Sequence, residues 1–159
     1  MKNFKKITKN EKGFTLLEVM IVVVILAVLA AVAIPNLMKS AETARQRADI
    51  TTGRELKMAL DRFQLDTGKY PTLSTMTATA DGGLSSPLVP AYINRLDGKV
   101  VQQKAADDSH NGFGIATIGD SASNLITVYL DSGGNRAEVV VCDSQLNLLW
   151  SSATDSLGP

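Results

Sequence analysis

Few side chains in this 159-residue chain could do chemistry, and most of them stand far apart. His110 is the only histidine. Serines and aspartates are plentiful enough to write a nucleophile–base–acid set on paper, yet no Gly-x-Ser-x-Gly elbow is present to present a serine. His110, in Asp-Asp-Ser-His-Asn-Gly, therefore reads as a solvated loop residue, no catalytic residue is assigned, and the chain is not expected to be an enzyme. Asp107, Asp108, Asp131 and Asn135 carry the oxygen ligands that calcium accepts. Acidic loop residues are ordinarily just solvated, so no metal or cofactor is expected. Cys142 is the only cysteine, which rules out an intrachain disulfide and supplies no metal framework. Following three valines, it reads as a small buried hydrophobe.

The residue most out of place is Glu18. Between Phe14 and Met38 it is the only formal charge in an otherwise uncharged, mostly aliphatic run. An acidic side chain at the centre of a membrane helix costs roughly 2.5–3.5 kcal/mol on insertion scales. The 25 residues of the run, as a helix, would be about 37 Å long, enough to cross a hydrocarbon core of roughly 30 Å with some tilt. Lys2, Lys5, Lys6, Lys9 and Lys12 precede it against Glu11 alone, so residues 1–13 carry a net charge of +4 within a chain of net charge zero. Positive charge stays on the cytoplasmic side, which would place the C-terminal part outside the inner membrane. The rest of the chain sums to −4, so no nucleic-acid partner is expected.

Three readings compete for this segment. Ala30–Ala33 (Ala-Ala-Val-Ala) resembles a secretory cleavage site, which would release a soluble, exported binding domain beginning at Ile34. Against it stand an apolar run longer than the usual 7–15 residues and the carboxylate inside it. A plain membrane anchor would make Glu18 an accident of the interface. Neither explains Gly13-Phe14-Thr15-Leu16-Leu17-Glu18 as a block. That block, behind a lysine-rich leader and opening a long apolar helix, resembles the processing motif of type IV pilins and of type II secretion pseudopilins.

The resemblance implies cleavage after Gly13 by a membrane-embedded prepilin peptidase and N-methylation of Phe14, with Glu18 as the fifth residue of the processed chain. It implies that Glu18 pairs with the N-terminus of a neighbouring copy and sets register, since a buried charge is tolerable only when paired. It further implies a subunit that polymerises with copies of itself from the bacterial inner membrane, single-pass with its N-terminus cytoplasmic, into a periplasmic or cell-surface filament. An assembly ATPase and a platform protein would supply the work. Two sub-functions stay open: a major pseudopilin of protein secretion, which leads, and a type IV pilin for adhesion, motility or DNA uptake. Asp66–Thr72 (Asp-Thr-Gly-Lys-Tyr-Pro-Thr) and Leu84–Leu96 resemble segments of major pseudopilins and short pilins. Major pseudopilins commonly bind calcium in their C-terminal loops. The Asp-Pro-Trp-Gly stretch that usually precedes that region is replaced here by Arg95–Val101, so no metal residues are carried over.

The elements that must position these residues follow from pattern. Leu37, Ala41, Ala44, Ala48, Thr52, Leu56, Ala59 and Phe63 recur in steps of three and four, with Leu60 beside them. Lys39, Glu42, Arg45, Arg47, Asp49, Arg54, Lys57 and Asp61 are expected on the opposite face of an amphipathic helix. Pro35 removes one backbone hydrogen bond, so a kink or local melting is expected there. Gly68 and Pro71 should end the helix. The fold expected is α+β: a long N-terminal helix packed on a C-terminal antiparallel sheet. The divisions are a leader at 1–13, a transmembrane and assembly helix at 14–38, its amphipathic continuation at 39–67, a connecting loop at 68–98 with one helical turn at Pro87–Tyr92, a sheet at 99–150 and a loose tail at 151–159. Strands are expected at Gly112–Gly119, Asn124–Asp131, Arg136–Asp143 and Leu146–Trp150 as an antiparallel meander, with Lys99–Gln103 as an additional edge.

Overall fold

The computed structural model describes residues 13–154 and 156–158. Apart from Gly13, the leader lies outside the described residues. The chain divides into two compact units, Met1–Ser40 and Ala41–Pro159. Helix α1 spans Leu16–Thr67.

In the first unit every large apolar side chain from Phe14 to Met38 is exposed, because a single helix has no second element among the described residues of that unit to pack against. By length and composition this helix can cross a membrane. Pro35 lies inside α1, and the residues around it stay helical, so the local melting expected there does not occur. Proline withholds a single N–H, and the ladder resumes on either side of it. Next to it, Asn36 Nδ2 donates to the carbonyl of Val32 at 3.2 Å, which gives a polar side chain on an apolar helix a partner within its own turn.

In the second unit α1 buries Asp49, Gly53, Leu56, Ala59 and Leu60. This corrects the expected stripe in its first half. Leu37, Ala41, Ala44 and Ala48 are exposed, and Asp49, assigned to the solvent face, is fully buried. Alanine carries little hydrophobic drive, so three alanines could not set the buried face. Asp49 is admitted because its carboxylate is satisfied: Oδ1 accepts the N–H of Gln102 at 2.7 Å and Oδ2 that of Gln103 at 3.0 Å. Gly53 lets the sheet approach, since a Cβ there would stand 2.5 Å from Val141 Cγ2. The helix stops where Gly68 adopts φ +83° and donates its N–H to the carbonyl of Gln64 at 2.8 Å.

Strands β1 (Thr77–Ala78) and β2 (Leu84–Ser85) form a small antiparallel pair within the segment expected as loop. The expected turn after Pro87 forms, with Leu88 O accepting from Tyr92 N–H at 2.8 Å. Five strands make the main sheet in chain order: β3 (Phe113–Thr117), β4 (Ile126–Leu130), β5 (Ala137–Cys142), β6 (Leu148–Ser151) and β7 (Ser156–Leu157). Every residue of β4 is buried, as befits a central strand covered on both faces. Leu56 and Leu60 of α1 share one core with Phe113, Val128, Val139, Val141 and Trp150.

The sheet departs from the expected meander in three places. First, β3 and β4 are parallel, Phe113 opposite Ile126 and Thr117 opposite Leu130, so the sheet is mixed. The eight residues between them reach at most roughly 28 Å. That is enough to bring the chain back along a five-residue strand of about 17 Å without a helix. Second, Lys99–Gln103 is no strand. A 3₁₀ turn covers Gly98–Val100, and the next backbone donors go to Asp49 instead of to a neighbouring strand. Third, the tail is not wholly loose: β7 pairs with β6, Trp150 opposite Leu157, giving the last strand a partner for its free edge.

Candidate functional site

The candidate site is the exposed head of α1. Gly13, Phe14 and Thr15 precede the helix outside regular secondary structure, and Phe14 is 90% exposed. A peptidase would meet no obstruction there from the described residues. Thr15 caps the helix. Its N–H donates to Glu18 Oε2 at 2.8 Å and its hydroxyl to the same oxygen at 2.9 Å, while Glu18 N–H donates back to Thr15 Oγ1 at 3.2 Å. This is the reciprocal Ser/Thr-x-x-Glu capping box, which satisfies two of the orphan donors at a helix start. A carboxylate in the first turn also faces the positive end of the helix dipole.

Thr15 was therefore missed as a working residue, although its signal, a threonine three residues before a glutamate at the head of an apolar run, was present. The box holds the carboxylate at the first turn through Oε2. Oε1 accepts no hydrogen bond among the described residues, so one oxygen stays open to a partner from outside the chain.

The other candidate residues do not join this site. His110 is on a 3₁₀ turn, with Nδ1 3.1 Å from Ser109 Oγ and 3.5 Å from Asp107 Oδ2. Both neighbours meet the same ring nitrogen, so no proton can be relayed through the imidazole as a triad requires. Asp107 and Asp108 precede β3, whereas Asp131 and Asn135 follow β4, at opposite ends of a parallel pair. Their oxygens serve local turns. Asp131 Oδ2 accepts the backbone N–H groups of Gly133 at 3.2 Å and Asn135 at 3.3 Å, and Asp107 Oδ1 that of Ser109 at 3.0 Å. Bonds from Ser109 to the charged form hold the Asp107 carboxyl below the usual carboxylate range. Among the described residues no group of three His, Cys, Asp or Glu could hold a metal. Cys142 is buried, and burial pushes its thiol up to about 11, far from the thiolate form that reacts.

An exposed Gly-Phe-Thr block that opens an apolar helix, followed by a helix-on-sheet unit, defines a pilin-like protein. Residues 8–34 match the prokaryotic N-terminal methylation motif. Type II secretion system core protein G of Vibrio cholerae is 36% identical over 119 residues, covering 72% of this chain and 77% of that protein. The proteins of the same name from Aeromonas hydrophila and Escherichia coli are 47% and 45% identical over 64 and 65 residues. Those two matches cover only 45% of each relative. No solved structure matches the chain. The chain belongs to the type II secretion system core protein G family, the major pseudopilins.

Proposed function

We propose that this chain is the repeating structural subunit of a type II secretion pseudopilus. It is cut between Gly13 and Phe14 by a prepilin peptidase, N-methylated at Phe14, and polymerised from the inner membrane. The observation that carries this reading is the similarity to the Vibrio cholerae protein over about three-quarters of both chains, beside the separate match of residues 8–34 to the methylation motif. The exposed apolar side chains from Phe14 to Met38 support it as well, since a surface of that kind needs lipid or neighbouring copies around it. Before assembly the lipid solvates it, and after assembly neighbouring copies do. The lysines of the leader keep the N-terminus cytoplasmic and leave Ala41–Pro159 on the periplasmic side. Energy comes from a cytoplasmic ATPase acting through a platform protein, and the subunit contributes adhesion and shape. The relatives' names favour secretion over adhesion or motility.

In the assembled state the amine on Phe14 of one copy meets Glu18 of another, through the oxygen the capping box leaves open. The mass and N-terminal sequence of the mature protein test the first step. A chain beginning at N-methylated Phe14 is expected, and one beginning at Ile34 would mean release as a soluble domain.

We also propose that the second unit holds its shape without a metal, because its acidic turns already spend their oxygens on backbone donors. Calcium in large excess should leave the melting temperature of the purified protein unchanged. A real site filled a hundredfold above its Kd would add about 2.7 kcal/mol and show as a clear rise.

A further inference from the structure

The face of α1 opposite Asp49, Leu56 and Leu60 carries Arg47, Thr51, Arg54, Met58, Arg62 and Leu65 in steps of three and four, so the six lie on one ridge. All six are exposed, Met58 at 51% and Leu65 at 79%. Arg47 and Arg62 form no ion pair among the described residues, and the guanidinium of Arg54 rests on the Trp150 ring, 5.6 Å from its centroid, without a carboxylate. Arginine and methionine are enriched at interfaces, and an apolar residue between cations is poorly served by water.

The part of the same unit that follows α1 carries the opposite net charge. Residues 68–159 carry nine acidic and five basic side chains. Where β3 and β4 end side by side, Thr117 opposite Leu130, Asp120 and Asp131 form an acidic edge. Neither is ion-paired to a Lys or Arg among the described residues. Asp120 is exposed and spends one oxygen on Thr117 N–H.

We infer that the arginine ridge of one copy receives the Asp120–Asp131 edge of a second copy of this chain. The two patches are different surfaces, so the contact is head-to-tail. A head-to-tail contact that does not close on itself generates an open helical array, whereas a self-complementary patch would stop at a dimer. Charge complementarity of this kind steers encounter and fixes register between copies. The inference rests on the filament reading and deepens it: the membrane helices supply adhesion, and the ridge selects which neighbour sits where.

The test uses the full-length chain, expressed with its own processing, and measures pelletable filament. Arg47→Glu/Arg62→Glu avoids the residue stacked on Trp150, and Asp120→Lys avoids the turn held by Asp131. Each should lower filament yield by about tenfold or more, the scale of like charges forced together at an interface. Melting temperatures should stay within a few degrees of wild type, since the Asp120–Thr117 bond that Asp120→Lys gives up is exposed and surface substitutions change stability little. Combining the two reversals in one chain should restore assembly. Wild-type yield from the single reversals, or a combined variant no better than either, would overturn the inference. Glu18→Ala run in parallel separates the two readings. Normal assembly of that variant strikes the register role of Glu18, and normal assembly of the charge variants strikes the ridge alone.

Discussion

Glu18→Ala is expected to leave the chain in the membrane and processed to Phe14, yet to reduce filament to background in sedimentation and electron micrographs. Membrane insertion survives because removing a charge makes the helix cheaper to insert, by roughly 2.5–3.5 kcal/mol at most. Assembly fails because the Phe14 amine of each copy is then buried among neighbours without a counter-charge. Removing one member of a buried pair costs about 3–5 kcal/mol. In a polymer that penalty recurs at every subunit.

The same substitution also removes the capping box with Thr15, worth about 1 kcal/mol, so a companion variant has to separate cap from charge. Glu18→Gln does so, since glutamine serves in a capping box and carries no charge. Filament lost in both variants points to the ion pair. Filament kept in Glu18→Gln and lost in Glu18→Ala would assign Glu18 to helix capping alone. Thr15→Ala should fall between, leaving the charge but loosening the turn that holds it.

Asp49→Ala is expected to destabilise the second unit by about 2–4 kcal/mol, since two backbone donors lose their partner, the buried one of Gln103 and the part-buried one of Gln102, and a buried orphan costs roughly 1–3 kcal/mol. The removed carboxylate also leaves space beneath the segment after the 3₁₀ turn. Gln103 should follow, because its backbone is held by Asp49 while its side-chain Nε2 donates to the carbonyl of Cys142 at 3.1 Å. The loss should therefore appear both as a lower urea midpoint and as faster amide exchange at Gln102 and Gln103. Asp49→Asn, which keeps one acceptor oxygen, should lose less. A stability within 1 kcal/mol of wild type in Asp49→Ala would show that water replaces the carboxylate, and the assignment of Asp49 as the clasp between helix and loop would fail.

Local pattern alone determined the helix, its glycine stop and the Gly13–Glu18 block that matches the methylation motif. Each depends on residues within one or two turns of one another: Thr15 with Glu18, Gln64 with Gly68, and a long apolar run. Strands β3 to β6 were legible for the same reason, because alternation is a property of consecutive residues, whereas the two-residue strands β1, β2 and β7 are too short to show it. Tertiary structure alone decided the direction of β3 against β4, since an alternating strand reads the same whether its neighbour runs parallel or antiparallel. It also decided that Asp49 is inside. A carboxylate is solvated by default, and the donors that reverse this lie 53 and 54 residues further along, in a segment that itself reads as a strand. Periodicity reports which face of an element is greasy. Where a polar group finds its partner across the fold is a matter of three-dimensional proximity, which no stretch of neighbouring letters encodes.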